Sequence, residues 1–272
     1  MAERFLALHV KGRPLLQPNA WDIGSAKLLA SLGFEAIATT SSGFAASLGR
    51  PDGLVSADEV LAHCAALSAA VSVPVAADLE NGYAREPEAV ADTVRRAAET
   101  GLAGCSIEDW SGEDWSGSEG AGIYDRALAA ERVAAAVEVA HGGVTGPRLV
   151  LTARAENHIR GRQDLSDTIA RLQAFQEAGA DVLFAPGLRA PDDIASVIAS
   201  VDRPVNVLVL PGVPTIPELA ELGVARISVG GAFAFAAYAQ LVSAATELRE
   251  SGTYGYWDGV LAHRGEIAGA FE

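Results

Sequence analysis

The chain is poor in cysteine, in basic side chains and in long apolar runs, and each shortage removes a class of protein. Only Cys64 and Cys105 occur in 272 residues, with no CxxC spacing. That excludes a disulfide-stapled fold and a thiolate metal site, and both read as small core residues of a protein in a reducing cytoplasm. Lys and Arg number 20 against 35 Asp and Glu, a formal net charge of −15. A surface that acidic repels phosphate backbones, so nucleic acid is not an expected partner. No apolar run reaches membrane-spanning length, so no membrane contact is expected. No apolar stretch follows the charged opening Met1-Ala2-Glu3-Arg4, so no signal peptide is read there. No Pro-, Gly- or Ser-rich linker divides the chain, and residues 1–272 read as one domain.

What is present is alternation. Half the residues are hydrophobic, enough for a sizeable core. Eight short apolar runs read as strands: Leu15–Ala20, Ala36–Thr40, Val73–Asp78, Gly104–Ile107, Leu149–Ala153, Val182–Ala185, Val205–Leu208 and Ile227–Val229. Between them lie stretches at helical spacing, among them Ser56–Ala70, Pro87–Thr100, Arg126–His141 and Leu165–Ala178. Several end in a capping glycine, as in Leu32-Gly33 and Leu222-Gly223. Strand, helix, glycine and strand, repeated eight times, predict an α/β chain folded as a (β/α)8 TIM barrel. An open doubly wound sheet is disfavoured, because no GxGxxG follows the first strand. Residues 232–272 add a long helical pattern, a break at Ser251–Gly255 and a further helix over Trp257–Glu272. A helix beyond the eighth unit needs something to cover, and a subunit contact is expected.

The chemistry concentrates at predicted strand ends, where barrel enzymes build their sites. The third strand stops at Asp78-Leu79-Glu80-Asn81-Gly82-Tyr83. Carboxylates at i and i+2 of a strand share a face, and two hard oxygen donors suit Mg²⁺. Glu108 closes the fourth strand, and Asp52 in the loop after the second can add a fourth acid. Like charges converging on one mouth call for a cation. Arg154 and Glu156 end the fifth strand, and His158 is the one histidine placed to matter. Arg154 either neutralises the acids or clamps a substrate carboxylate or enolate, the favoured reading. Ser41-Ser42-Gly43 end the second strand, where hydroxyls and backbone N–H groups either bind an anion or simply build a turn. Trp21, at the end of the first strand, can line the pocket. Gly230 and Gly231 follow the last strand and serve phosphate binding or close helix packing equally well. Two long loops follow strands, Thr40–Asp58 and Asp109–Asp125. The second carries most of a tandem repeat, Glu108-Asp109-Trp110-Ser111-Gly112 then Glu113-Asp114-Trp115-Ser116-Gly117, and reads as a lid or as a tolerated surface duplication.

On these residues the chain resembles the isocitrate lyase/phosphoenolpyruvate mutase superfamily. The resemblance runs through Pro18-Asn19-Ala20-Trp21-Asp22, Thr40-Ser41-Ser42-Gly43, Leu48-Gly49-Arg50-Pro51-Asp52, Asp78 to Tyr83, Ser106-Ile107-Glu108-Asp109, Thr152-Ala153-Arg154-Ala155-Glu156, Pro204-Val205-Asn206-Val207 and Val229-Gly230-Gly231. It implies a barrel whose eighth helix swaps between subunits of a homodimer or homotetramer. It implies Mg²⁺, with Mn²⁺ as the alternative, near Asp52, Asp78, Glu80 and Glu108. It implies a 2-oxo acid or related hydroxy acid held near Ser42, Gly43, Asn206 and Arg154. Two departures stand out. The second metal-site acid is Glu80 where the superfamily usually has Asp. The lyases also carry a Lys-x-Cys-Gly-His loop after the fourth strand, and mutase-type members keep a lysine there. Here Asp109–Asp125 contains no Lys, Cys, His or Arg, and it carries Glu113, Asp114 and Glu119.

The expectation is therefore a Mg²⁺-dependent lyase that breaks a C–C bond of a 2-oxo or 2-hydroxy di- or tricarboxylic acid through a stabilised enolate. Oxaloacetate decarboxylation tolerates the missing cysteine best, because bond breaking needs no proton donor. Solvent, Tyr83 or His158 then protonates the enolate. Retro-aldol cleavage needs a base, for which Glu80 or Glu156 can serve. The alternatives are a phosphonopyruvate hydrolase or phosphoenolpyruvate mutase-like enzyme, and a non-catalytic 2-oxo acid binding protein.

Overall fold

The computed structural model describes residues 1–112, 122–142 and 147–272. In chain order the elements are α1 (Ala2–Ala7), β1 (Leu15–Gln17), β2 (Asn19–Ala20), α2 (Ile23–Ser31), β3 (Ile37–Thr39), α3 (Ser41–Ser47) and α4 (Ala57–Ala70). There follow β4 (Val75–Asp78), α5 (Pro87–Ala98), β5 (Gly104–Glu108), α6 (Arg126–Ala140), β6 (Val150–Arg154) and α7 (Leu165–Glu177). The chain continues with β7 (Val182–Phe184), α8 (Pro191–Ala199), β8 (Val205–Leu208), α9 (Ile216–Glu221) and β9 (Arg226–Ser228). It ends with α10 (Ala232–Glu250), α11 (Trp257–Ala262) and α12 (Arg264–Phe271).

All strand pairings are parallel, in the order β1-β9-β8-β7-β6-β5-β4-β3-β2. The two ends of that order are separated in the chain only by Pro18, so the sheet closes on itself. The first expected strand is thus two pieces. Proline cannot donate to a ladder, and at Pro18 the chain changes neighbour, from β9 before it to β3 after it. Its carbonyl still accepts from the Ala38 N–H at 2.9 Å. The other seven strands lie within two residues of their predicted bounds.

Local chemistry explains the helix starts. Ser56 and Glu59 form a reciprocal capping box before α4, and Asp164 caps α7 through the Ser166 and Asp167 N–H groups. Pro87 opens α5, where a missing N–H costs nothing. The loop expected over Thr40–Asp58 contains a helix. Thr40 caps it, and Ser41-Ser42-Gly43 form its first turn instead of an open turn.

Two apolar layers result. Leu67, Leu79, Ile107, Leu151 and Leu172 pack between sheet and helices, each worth roughly 1.5–3 kcal/mol of burial. Inside the barrel floor, Phe5 of α1 packs with Leu15, Ala36, Ala76, Ala103, Val150 and Val182, so α1 plugs the end away from the strand C-termini. A side chain at Gly104 would meet the Val150 carbonyl oxygen at 2.7 Å and the Phe5 ring at 2.8 Å.

The C-terminal helices stand apart from this packing. Only Ala234 of the 19 residues of α10 is buried, while Phe233, Phe235, Leu241, Val242 and Leu248 are exposed. The helix expected over Trp257–Glu272 breaks at His263 into α11 and α12. α12 packs on α2, with Phe271 against Gly24. Among the described residues no helix is long and apolar enough to cross a membrane.

Candidate active site

A cavity of about 310 Å³ opens at the C-terminal ends of the strands. Ser41, Ser42, Asp52, Asp78, Arg154, Glu156 and Asn206 line it, all expected from the sequence. Trp21, Gly43, Glu80, Tyr83, Glu108 and His158 stand outside the lining. Gly230 and Gly231 line it too, and any side chain at Gly231 would strike the Ser42 Oγ at 2.5 Å, which favours the packing reading.

The centre of the cluster is Arg154, projecting from the end of β6. Its Nη1 donates to Asp78 Oδ1 at 2.8 Å. Its Nε and Nη2 donate to Glu156 Oε1 at 3.1 and 2.8 Å, and Nη2 pairs with Glu108 Oε2 at 2.9 Å. Three carboxylates from three strand ends thus share one guanidinium, which also lies over the Phe184 ring. Burial pushes the Glu108 carboxyl well up, and Arg154 opposes that shift. Burial works against the Arg154 charge, but Glu108, Glu156 and Asp78 outweigh it and hold the guanidinium protonated.

Asp78 and Glu80 do not share a strand face. The strand ends at Asp78, and Glu80 and Tyr83 adopt left-handed φ values of 49° and 56° in the turn beyond. That turn is held from outside by buried Arg132 of α6, which donates to the Asn81 and Ala84 carbonyls. The Glu80 N–H donates back to Asp78 Oδ1 at 3.3 Å, and the Tyr83 hydroxyl donates to Glu80 Oε1 at 3.2 Å. The Glu80 carboxyl is pushed up to about 7, first by burial, then by the charges of Asp78 and Asp52. Asp52 sits on an exposed loop. Loss of solvent around its carboxyl, then Asp78, raises it, and a hydrogen bond from Ser41 opposes the rise. His158 points away from the cluster: its Nδ1 pairs with Thr168 Oγ1 of α7 at 2.8 Å, and burial lowers its pKa.

The base of the Asp109–Asp125 loop is tied down. Buried Asp109 accepts from the Glu156 N–H at 2.8 Å and from Arg171 Nη1 at 3.0 Å. Tyr124 N–H donates to the Asp109 carbonyl at 2.7 Å, and Trp110 bridges Ile123. The second copy of the tandem repeat, with Trp115 and with Glu113, Asp114 and Glu119, lies outside the described residues.

Two arginines of the cavity escaped the sequence reading. Arg226 of β9 reaches across the barrel to Asn206 Oδ1, His9 Nε2 and Thr152 Oγ1 at 3.0–3.2 Å. Among the described residues it has no carboxylate partner, and burial lowers its pKa to about 9. Arg160 lies at the mouth, four residues after Glu156, a helical spacing that pairs opposite charges.

The profile of the phosphoenolpyruvate phosphomutase family matches residues 5–249. The chain belongs to the isocitrate lyase/phosphoenolpyruvate mutase superfamily. Within it, an uncharacterized protein of Mycobacterium tuberculosis is 37% identical over 257 residues, covering 92% of this chain and 93% of that one. The 2-methylisocitrate lyase of Escherichia coli is 32% identical over 183 residues, 66% of this chain and 60% of the lyase. Among solved structures, a lyase/mutase of Burkholderia cenocepacia superposes with a TM-score of 0.87 at 49% identity, covering 94% of this chain and 90% of that one. An oxaloacetate acetylhydrolase holding the inhibitor 3,3-difluorooxalacetate gives 0.83 at 26% identity, over 95% and 89%. The superfamily relatives that carry an activity in their names are enzymes, lyases and a mutase among them.

The donor set can be tested against the divalent ion that the sequence resemblance implies. Among the described residues no three His, Cys, Asp or Glu side chains form a ready-made cage. Mg²⁺ does not require one, since it binds through one or two carboxylates and keeps several waters. Asp52, Asp78 and Glu80 are hard oxygen donors, and the carboxyls of Asp52 and Glu80 are raised first by burial and then by neighbouring negative charge, Asp78 for both and Asp52 for Glu80. A divalent cation relieves that repulsion, so the residues present fit a hard ion.

Proposed function

We propose that the chain is a divalent-metal-dependent lyase, with Mg²⁺ or Mn²⁺, that breaks a C–C bond of a 2-oxo or 2-hydroxy di- or tricarboxylic acid. The observation that carries this reading is Arg154, clasped by Asp78, Glu108 and Glu156 at the cavity wall. Asp78 would hold the ion, with Asp52, Glu80 and Glu108 around it. When bound, the ion supplies Lewis acidity at the substrate's C1 carboxylate and C2 oxygen.

The chain's own residues supply orientation and charge. Arg154 donates three N–H bonds to Asp78 and Glu156 and pairs through Nη2 with Glu108, which leaves an Nη1 N–H for a substrate oxygen that gains charge as the bond breaks. The Phe184 ring beneath fixes the guanidinium plane. Ser41 and Ser42 offer hydroxyls at the mouth, and Asn206, anchored by Ser228 and Arg226, offers its remaining amide N–H. Glu156 already receives two Arg154 N–H groups, which makes it a weak base for a hydroxyl proton. Glu80 is better poised but stands outside the lining. Oxaloacetate is therefore the favoured substrate, since its decarboxylation needs no base. Tyr83 is engaged with Glu80 and His158 with Thr168, so water protonates the enolate carbon. The face of α10 is taken as the contact with a second copy of the chain, in a homodimer or homotetramer.

A turnover panel tests this: oxaloacetate, 2-methylisocitrate, isocitrate and phosphonopyruvate, with Mg²⁺ and then with chelator. Metal-dependent pyruvate from oxaloacetate, abolished in Asp78→Ala, is the expected result. The phosphomutase name of the family profile favours a second reading, P–C bond cleavage. Phosphate release from phosphonopyruvate faster than oxaloacetate turnover would put that reading first. Tight 2-oxo acid binding with no turnover would make the chain a binding protein.

A further inference from the structure

We propose that Arg160 determines specificity in this cavity by taking the distal carboxylate of a substrate whose 2-oxo acid end sits at Arg154. The proposal rests on the 2-oxo acid reading above and names the group that selects among such acids.

Among the cations of the cavity, Arg160 is the one without a close partner among the described residues. Three cations line it, Arg154, Arg160 and Arg226. Arg154 is committed to three carboxylates at 2.8–2.9 Å. Arg226 is buried at the barrel floor on neutral partners. Arg160 is at the mouth, with 33% of its side chain exposed. Among the described residues its nearest carboxylate oxygens are long contacts, Glu156 Oε2 at 3.4 Å and Glu108 Oε1 at 3.9 Å. Charge-assisted bonds close to about 2.7–2.9 Å, so neither contact consumes a donor.

The guanidinium is nevertheless positioned. It lies 4.4 Å from the Trp110 ring centroid, and Trp110 is itself fixed by its bridge to Ile123. That cation–π contact positions the guanidinium, and among the described residues its N–H groups make no hydrogen bond closer than the long ion-pair contacts, so they are available to a bidentate carboxylate. The residues Asp109–Asp125 contain no Lys, Arg or His, so that loop brings no competing cation. Arg160 thus supplies, from the β6–α7 connection, a positive charge that the loop lacks. If Arg160 merely neutralised Glu108 and Glu156, its removal would affect every ligand alike.

The decisive measurement is calorimetric binding to the full chain with Mg²⁺ present. The probes are 3,3-difluorooxaloacetate, which has a distal carboxylate, and 2-oxobutyrate, which has a methyl group in its place. Arg160→Gln is expected to weaken the first by roughly tenfold to a hundredfold and the second by less than about twofold. Arg160→Lys should recover part of the loss. Arg160→Met, which keeps an aliphatic stem on Trp110, repeats the comparison should Arg160→Gln fail to fold. Equal weakening of both probes, or of neither, overturns the proposal and leaves the 2-oxo acid reading intact. Failure of the unaltered protein to bind either probe overturns both.

Discussion

Arg154 is where stability and chemistry meet, because one side chain prevents two buried acids, Glu108 and Glu156, and the part-buried Asp78 from repelling one another. Arg154→Gln should cost about 3–5 kcal/mol of stability, as removing one partner of a buried pair does. The cost should be smaller at pH 5 than at pH 8. Glu108, already raised by burial, takes up a proton more readily as pH falls, and that uptake lowers the repulsion. Urea titrations at the two pH values measure both. The same variant should lose roughly 100-fold or more in turnover. A second residue prediction concerns His9, held at about 3 by burial and then by Arg226, against an ordinary 6.5. The folded pKa is the lower one, so between pH 6.5 and 3 the unfolded chain binds more protons. The contribution of neutral His9 is complete above pH 6.5 and is lost as pH falls. Denaturation should show the stability difference between the protein and His9→Gln shrinking toward acid, by at most about 1.4 kcal/mol per pH unit. Asp78, Arg154 and Glu156 were legible because each ends an apolar run. Arg160 and Arg226 were not: neither ends an apolar run, and only the closed barrel shows what each faces.

Among the elements, α1 and β5 depend on one missing side chain. Gly104→Ala would press a methyl group on the Val150 carbonyl and the Phe5 ring, backbone on one side and a buried aromatic on the other. Overpacking of this kind costs about 1–3 kcal/mol. The melting temperature should fall, and amide exchange in Ala2–Ala7 should quicken as the plug loosens. The alternation of elements was readable because each apolar run and helical stretch carries its own period. Three local features were not. The split at Pro18 depends on which strand lies alongside. Ser41–Gly43 carry turn-forming letters and yet open a helix, because Thr40 caps it. Asp78 and Glu80 were assigned one strand face, but the ladder ends between them, and Arg132, about fifty residues away in sequence, holds the turn that replaces it.

For the molecule as a whole, the unburied length of α10 is the feature that most constrains behaviour in solution. Five large apolar side chains on one helix exceed what scattered surface residues explain. Light scattering should give a dimer or tetramer mass, and Leu241→Glu with Val242→Glu should shift it toward the monomer. A monomer mass for the unaltered protein would leave that helix face without a second copy. The closure at Pro18 has a consequence of another kind, in biosynthesis. β1 has no neighbour on its open side until β9 exists, more than 200 residues later. At about 5–20 residues per second, a ribosome needs roughly ten seconds or more to bridge that interval. Throughout it the nascent sheet carries two unpaired parallel edges, at β1 and at its newest strand. A truncated message ending before Arg226 would leave those edges open for good, and its product should be a substrate for holdase chaperones.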